Sequence, residues 1–362
     1  MNPCVVFALY TLFSVNTGQI IRGIYINPYQ ASKKDYMDKV FARADSGLIN
    51  TIVVDFKSDY GFLCYPSEIE LAKKIGAIEK YLDLDYLIRN AAIHNVKLVA
   101  RVVCYHDQYL AQYKNYGIMD DQGKIWLDKK GIAWLNPYVE GVNDYLLSVV
   151  DEITRLGINS IAFDYIRFPT DGDIGKIRLA NVNGPRHQPL MSFLKRVKKK
   201  CDVEVGICIF GYAVWFDLKL EGQDIAKLGE YVDIVYPMLY PSHFHADFKK
   251  EANEYWRNYW IYFDSVKEAF KKLPPYVKVA PFIQGFTLHA QNFGADYICS
   301  QINGSLDADA NGFIIWNARS DYSPSWLPLS LVRNSILKKS APMTQDIHMK
   351  EGGRQDQDIN LP

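Results

Sequence analysis

A carboxylate and a guanidinium lie three positions apart in the segment NSIAFDYIRFPTDG, residues 159–172, at the end of a short apolar run. A buried strand gains nothing from such charges, because an unpaired charge in an apolar interior is costly. Asp164 and Arg167 therefore indicate either a structural ion pair or a group of side chains that carries out chemistry.

Polar side chains end several other apolar runs in the same way. The run TIVVDFKS (51–58) contains Asp55 and Lys57. The remaining charged, hydroxyl, imidazole, amide and indole groups of this kind are Arg101, Asp107, Tyr240, His243, Gln284, Trp316 and Asn317. Because so many polar groups lie at the ends of apolar runs, we expect a functional site rather than isolated ion pairs.

Carboxylates, cations, amides and aromatic rings favour glycosidic bond cleavage over other barrel chemistry. That reaction needs one protonated and one ionised carboxyl, with rings and hydrogen-bonding groups to hold sugar hydroxyls. A metallohydrolase needs clustered histidines, whereas only His243 and His245 lie close together. A Schiff-base aldolase needs a lysine without an acidic partner, whereas Lys57 is two residues from both Asp55 and Asp59. We expect no metal and no other cofactor.

The elements that must position these residues alternate along the chain as strand, helix, strand, helix. This alternation is typical of a parallel sheet with right-handed crossovers. The predicted strands are residues 21–27, 50–58, 96–107, 159–169, 203–215, 233–244, 277–287 and 311–319. Eight strands, without a glycine-rich phosphate-binding turn, predict an α/β fold of the (β/α)8 TIM-barrel class rather than a dinucleotide-binding sheet.

Side-chain alternation predicts which groups face the barrel interior. In a barrel strand one face packs against helices and the other points inward. If Ala162 and Asp164 point inward, the same alternation places Asp55, Lys57 and Arg101 inward on their strands. All lie near the C-terminal strand ends, where TIM-barrel enzymes carry their active sites.

Several segments together resemble a family of glycosyl-hydrolase-like barrel domains of unknown function, distantly similar to α-amylase-like glycoside hydrolases. They are FDYIRFPTDG, TIVVDFKSDYG, GKIWLDKKGIAWLNPYVEGVNDY (123–145), YPMLYPSHF and GFIIWNAR. The resemblance spans roughly residues 20–330 and implies a (β/α)8 barrel that acts on a polysaccharide or oligosaccharide. The segment FIQGFT departs from the family pattern, because we expect a bulkier residue than Gly285 and hence an altered subsite there.

The resemblance implies that Asp164 is the nucleophile or charge-stabilising carboxylate, as in related hydrolases at the end of strand four. Arg167 is expected to keep Asp164 ionised. Asp55 is the first candidate for the acid, although Lys57 beside it favours the ionised form; the reserves are Asp107 and Glu140. The residues expected to bind substrate are Arg167, Lys57, Arg101, Tyr240, His243, Gln284, Trp316 and Asn317, with Trp126, Trp134 and Trp215 as further stacking surfaces.

Composition leaves a second class of protein open. The formal net charge is +0, which argues against nucleic acid or an anionic membrane as the main partner. Aromatic residues make up 14% of the 362 residues, and such rings stack on sugars. A non-catalytic carbohydrate-binding barrel of the cell envelope has the same rings but needs no second carboxyl near Asp164.

The chain ends predict export and a polar tail. Residues 4–15 are apolar but too short to span a bilayer, which is typical of a signal peptide. We expect a signal peptide over 1–18, the barrel over 19–335 and a disordered tail over 336–362. The mature protein is then periplasmic, cell-surface or extracellular, without a stable transmembrane anchor; nothing in the sequence indicates its oligomeric state.

Cleavage of the signal peptide should leave a mature chain that begins near residues 17–20. N-terminal sequencing of protein made in its own host measures this directly. An intact Met1 in a cytosolic fraction would contradict the prediction.

Overall fold

Eight parallel barrel strands form from the eight apolar runs in the computed structural model, which describes residues 19–251 and 253–340. The strands are β1 (Ile21–Ile26), β2 (Thr51–Lys57), β3 (Lys97–Val103), β4 (Ser160–Asp164), β5 (Glu204–Phe210), β6 (Ile234–Met238), β7 (Lys278–Val279), β8 (Phe282–Gln284) and β9 (Gly312–Trp316). β7 and β8 are two halves of one barrel strand, interrupted at Pro281, which has no N–H for the ladder. The pairing of β5 with β6 closes the barrel and confirms the predicted TIM-barrel fold.

Helices follow the strands and cover the outside of the barrel. They are α1 (Pro28–Ala31), α2 (Lys34–Asp45), α3 (Glu70–Lys74), α4 (Leu84–Ile93), α5 (Glu140–Arg155), α6 (His187–Lys200), α7 (Ile225–Leu228), α8 (Glu254–Lys272), α9 (Ala295–Asp307) and α10 (Trp326–Ser340). Side chains fix where some begin: Asp83 accepts from the backbone N of Tyr86, and Asn253 from that of Trp256.

The predicted chain ends lie mostly outside the described residues. The predicted signal peptide, 1–18, and residues 341–362 of the predicted tail fall outside them. The predicted tail begins at 336, and α10 runs to Ser340, so the two overlap over 336–340. No helix within 19–251 or 253–340 has the length and apolar character needed to cross a membrane.

The inward faces of β2, β3 and β4 carry three charged groups above an apolar plug. Val53, Val99 and Ala162 belong to the apolar cluster inside the barrel. Asp55, Arg101 and Asp164 lie two residues further along the same strands and so share the inward face, nearer the C-terminal ends. The predicted alternation is correct for these three residues.

Lys57 does not follow Asp55 into the interior, because the β2–β3 register shifts between them. Asp55 pairs with Arg101, but Lys57 pairs with Val102, one residue out of phase. The Lys57 Nζ lies 2.7 Å from Asp107 Oδ2 and donates to the Val103 carbonyl at 2.9 Å. Both charged side chains are fully buried, so they form a structural ion pair.

Replacing Lys57 by Met should lower the free energy of unfolding by about 3–5 kcal/mol, because Asp107 would keep a buried charge without its partner. Denaturant unfolding measures the change. The double variant Lys57→Met/Asp107→Asn should be more stable than the single one, and the control Lys39→Met, at an exposed position, should change stability by less than about 0.5 kcal/mol. A single variant as stable as wild type would contradict the structural role.

Candidate active site

Arg101 holds three carboxylates at the C-terminal mouth of the barrel. Its Nε and Nη2 donate to Asp164 Oδ2 at 2.9 and 2.7 Å, and its Nη1 donates to Asp55 Oδ1 at 2.8 Å. Nη2 also donates to Asp59 Oδ1 at 2.7 Å. One buried cation thus faces three acids, and the pKa values of Asp55 and Asp59 are shifted in opposite directions.

Asp55 is the carboxyl that burial affects most. Desolvation raises its pKa to about 6, although Arg101 opposes the shift. Its Oδ2 accepts from the Tyr25 hydroxyl at 2.7 Å, and the Tyr25 ring stacks on Trp316 with centroids 3.8 Å apart. Both Asp55 oxygens are therefore occupied, one by Tyr25 and one by Arg101.

At Asp59 the effect of Arg101 on the pKa exceeds the effect of burial. Its burial raises the pKa, but the charge and the hydrogen bond of Arg101 outweigh that effect, so the pKa of Asp59 is lowered overall. The same guanidinium thus leaves Asp59 ionised while it leaves Asp55 with a raised pKa.

Asp164 is fixed from both sides at the end of β4. Its Oδ1 accepts from the backbone N of Tyr165 at 2.7 Å, while Arg101 binds Oδ2. Tyr165 has φ +47°, a left-handed conformation that is uncommon outside glycine, and the chain turns there. The Tyr165 ring stacks on His106 with centroids 4.7 Å apart.

A cavity of about 590 Å³ opens above these groups. Its charged and imidazole walls are Asp59, Arg101, Asp164, Arg167, Glu221 and His243. Its aromatic walls are Tyr165, Phe210, Tyr212, Phe216, Tyr240, Phe244, Phe282 and Trp316. Ring faces beside carboxylates suit a ligand that has apolar faces and many hydroxyls, as a sugar does.

Arg167 lines this cavity without an acidic partner. Its guanidinium lies over the rings of Trp134 and Phe210, 4.8 and 4.3 Å from their centroids, and Nη1 donates to the Phe168 carbonyl at 3.1 Å. Burial lowers its pKa. Within the described residues it forms no ion pair, so the cation that binds Asp164 is Arg101 and not, as predicted, Arg167.

Tyr240, His243 and Trp316 line the cavity as predicted, whereas two predicted amides do not. Gln284 is fully buried; it donates to the carbonyls of Phe286 and Leu288, and its Oε1 accepts from the Ser242 backbone. Asn317 donates to the Gly285 carbonyl at 2.6 Å. Both amides hold the loops around the mouth.

Other predicted residues lie apart from the cavity walls. Lys57 and Asp107 form the buried pair behind β2, and Glu140 begins α5 on the surface. Trp126 donates to the Asp173 carbonyl and Trp215 to Ser265 Oγ, while Trp134 supports Arg167 from beneath. These tryptophans pack the protein around the site.

Gly285 is required by packing rather than by an altered subsite. A Cβ there would lie 2.7 Å from Ile315 Cγ2 and 2.8 Å from the Trp316 carbonyl oxygen. The bulkier residue expected from the family pattern does not fit.

Glu221 is a functional candidate that the sequence interpretation missed. It lies in the irregular segment after β5, and its carbonyl accepts from the Phe168 backbone N at 2.8 Å, which ties this segment to the chain beside Arg167. Asp59 and Tyr25 were also missed. Asp59 stands within the segment TIVVDFKSDYG, so it was within reach of sequence reasoning, but Glu221 follows no strand pattern.

The fold and the site define a glycoside-hydrolase-like TIM barrel. The chain belongs to the family described as "Putative glycosyl hydrolase domain", whose model matches residues 23–322. No protein with a curated description matches it. Among the described residues, no cluster of histidine, cysteine and acidic side chains could hold a metal ion.

Solved structures of glycan-active proteins share the barrel. The PgaB (BpsB) glycoside hydrolase domain from Bordetella bronchiseptica has a TM-score of 0.62 and 10% identity, over 87% of this chain and 98% of that one. The spore cortex-lytic enzyme SleL from Bacillus cereus has a TM-score of 0.52 and 12% identity, over 87% and 74%. A chitinase from Bacteroides thetaiotaomicron has a TM-score of 0.52 and 9% identity, over 89% and 97%. At such identities the likeness shows the fold alone.

Replacing Asp55 by Asn tests the raised pKa of this carboxyl through stability. The pKa of Asp55 is about 6 in the folded protein, whereas its ordinary value, which applies to the unfolded chain, is 3.8. The folded state therefore binds extra protons between these values, and wild type should lose up to about 3 kcal/mol relative to Asp55→Asn as the pH rises through this window. Denaturant unfolding at a series of pH values measures the difference; two parallel curves would contradict the shift.

Proposed function

We propose that this protein is a glycoside hydrolase that cleaves glycosidic bonds of a polysaccharide or oligosaccharide. Asp164 is the ionised carboxylate at the anomeric carbon, and Glu221 is the proton donor to the leaving oxygen. The observation that carries the proposal is the Asp164 carboxylate, fixed by Arg101, in a cavity walled by aromatic rings and a second carboxyl. The family description and the hydrolase names of proteins with the same fold support it.

Asp164 suits the charged role because its environment stabilises negative charge. Arg101 provides two hydrogen bonds and a full positive charge, and the Tyr165 amide provides a third bond. A positioned carboxylate of this kind attacks the anomeric carbon or stabilises the oxocarbenium-like transition state. Its fixed geometry means that little reorganisation is needed during the reaction.

Glu221 suits the proton-donor role better than the other carboxyls. Within the described residues its carboxyl forms neither an ion pair nor a hydrogen bond, although it lines the cavity. Asp59 has a lowered pKa, which is wrong for a proton donor near neutral pH. Asp55 has a suitable pKa of about 6, but it does not line the cavity and both its oxygens are occupied.

The remaining walls suit sugar binding. Tyr212 and Phe216 offer ring faces, and Tyr240 and His243 lie together with ring centroids 5.2 Å apart, where they would bind hydroxyls. Export, as expected from the apolar N-terminal segment, stays part of the proposal, because it would bring the enzyme to extracellular glycans.

Replacing Asp164 by Asn should lower turnover by at least about a thousandfold, because the change removes the negative charge but nearly keeps the shape. A screen of polysaccharides first finds the substrate that wild type cleaves, and initial rates with this substrate then compare the variants. The variant should still fold, as circular dichroism measures, because Asp55 and Asp59 still pair with Arg101, and sugar binding should stay close to that of wild type. If Asp164→Asn turns over at the wild-type rate, the role of Asp164 is wrong.

Replacing Glu221 by Gln should lower turnover by about 10²–10⁴-fold on natural linkages, because the leaving oxygen loses its proton donor. The loss should be much smaller on aryl glycosides whose leaving group needs no proton. The matched control is Asp217→Asn, in the same segment but exposed and outside the cavity walls, which should keep wild-type turnover. Equal losses on both kinds of substrate would exclude Glu221 as the acid. Glycans that bind wild type and Asp164→Asn equally, without cleavage of any, would instead indicate a carbohydrate-binding barrel.

A further inference from the structure

A second cavity, of about 610 Å³, forms an open groove beside the catalytic mouth. Its walls include Gln108, Tyr109, Gln112, Tyr113 and Leu127. The hydroxyls of both tyrosines form no hydrogen bond within the described part of the chain. Leu127 is 49% exposed, so the groove presents amides, hydroxyls and apolar surface together to an outside ligand.

A short hydrogen-bonded connection joins the groove to the catalytic cavity. Asp59 lines the cavity, and the carbonyl of the next residue, Tyr60, accepts from the Gln108 backbone N at 3.1 Å. Consecutive Cα atoms are only about 3.8 Å apart, so Asp59 and Tyr60, here called the Asp59–Tyr60 wall, bring the two recesses close together. A polymer bound across the mouth would pass over this wall into the groove.

A chain of side-chain contacts also links the cavity wall to the groove. Tyr165, in the cavity wall, stacks on His106, and His106 Nε2 lies 3.0 Å from Asp128, the neighbour of Leu127. Two successive groups thus connect the cavity to the far side of the groove. The relative position of the two recesses is fixed by packed side chains.

Unpaired lysines surround the groove. Lys74 and Lys114 each place Nζ 5.3 Å from the centroid of the Tyr113 ring. Lys129 and Lys130 lie in the turn between Leu127 and Gly131, both of which line the groove. Across residues 19–251 and 253–340 none of these four lysines forms an ion pair, although many other surface lysines do, as Lys73 does with Glu68.

The lysines decide which kind of glycan fits. The ammonium groups of Lys74 and Lys114 lie within cation–π range of the Tyr113 ring, so this ring offers a neutral sugar less free surface for stacking. Free positive charges at the edge of a groove attract a polyanion and raise its local concentration. Arg167, a buried cation without an acidic partner, lines the adjoining cavity.

We infer that the groove binds an acidic polysaccharide, one that carries carboxylate or sulfate groups and extends from the catalytic cavity across the Asp59–Tyr60 wall. This inference rests on the proposed function, because it assigns the class of substrate to the same mouth. The lysines pair with the acidic groups, and Tyr109, Gln108 and Gln112 bind the hydroxyls. Acidic groups then continue into the cavity at Arg167.

Binding to defined polymers tests the inference without any turnover. Affinity electrophoresis uses the full chain with Asp164→Asn, so that nothing is cleaved. The acidic polymers are polygalacturonate, alginate and chondroitin sulfate, and carboxyl-reduced polygalacturonate is the neutral match. The test variant adds Lys74→Gln and Lys114→Gln; the control adds Lys199→Gln and Lys200→Gln, which remove the same charge from exposed positions at the C-terminal end of α6, before β5 enters the barrel.

We expect at least one acidic polymer to bind at least about tenfold more tightly than the reduced polymer, with an affinity that falls as salt is added. The Lys74/Lys114 variant should lose about tenfold or more, and the Lys199/Lys200 control less than about twofold. Binding of the uronate polymers indicates carboxylate recognition. Chondroitin sulfate carries carboxylate and sulfate together, so binding of this polymer without the uronate polymers indicates sulfate recognition. If no acidic polymer binds, if the reduced polymer binds equally, or if both lysine pairs behave alike, the inference is wrong.

The two proposals fail separately. Polymer binding as expected, with no cleavage of any screened glycan by wild type, would overturn the hydrolase and leave the groove assignment standing. Cleavage of a neutral glycan that is lost in Asp164→Asn, without any binding of acidic polymers, would leave the hydrolase standing and overturn the groove assignment.

Discussion

The candidate site depends on one buried guanidinium. Arg101 is 1% exposed, and such a cation is stable inside a barrel only when carboxylates surround it. It binds Asp55, Asp59 and Asp164, which come from β2, the loop after β2, and the end of β4. The pairing therefore fixes three segments of the mouth relative to one another. It also links the ionisation of Asp55 to that of Asp59, because the same guanidinium faces both carboxyls.

Charges at the mouth fall into two groups, and the division separates structure from recognition. Asp55, Asp164 and the pair Lys57–Asp107 are buried with partners, and their geometry is fixed. Arg167 and Glu221 also line the cavity, but neither forms an ion pair among the described residues. Partnered charges define the shape of the site, whereas free charges remain available to a ligand.

Sequence reasoning succeeded where regular strand geometry applies. The eight strands and the inward positions of Asp55, Arg101 and Asp164 follow from period-two alternation, which a barrel strand enforces. The alternation failed at Lys57, because the register shift that turns it outward leaves no mark in residue types.

Sequence reasoning also failed where tertiary contacts decide a side chain's role. Whether Gln284 faces the cavity or the loops depends on the carbonyls of Phe286 and Leu288 in its own loop and on the backbone N of Ser242, 42 residues away in the chain. Glu221 lies in an irregular segment, for which no periodicity exists to predict a direction.

The backbone at Tyr165 places opposed demands on a single position. A left-handed φ of +47° favours glycine, which has no Cβ to strain. Yet glycine would remove the ring on which His106 stacks and over which the Arg167 guanidinium lies, 5.0 Å from its centroid. A β-branched residue would meet neither demand. Few amino acids therefore suit position 165. Natural variation and directed evolution of the barrel mouth should accept the fewest substitutions at this residue, which adjoins the Asp164 carboxylate but need not touch the reacting bond.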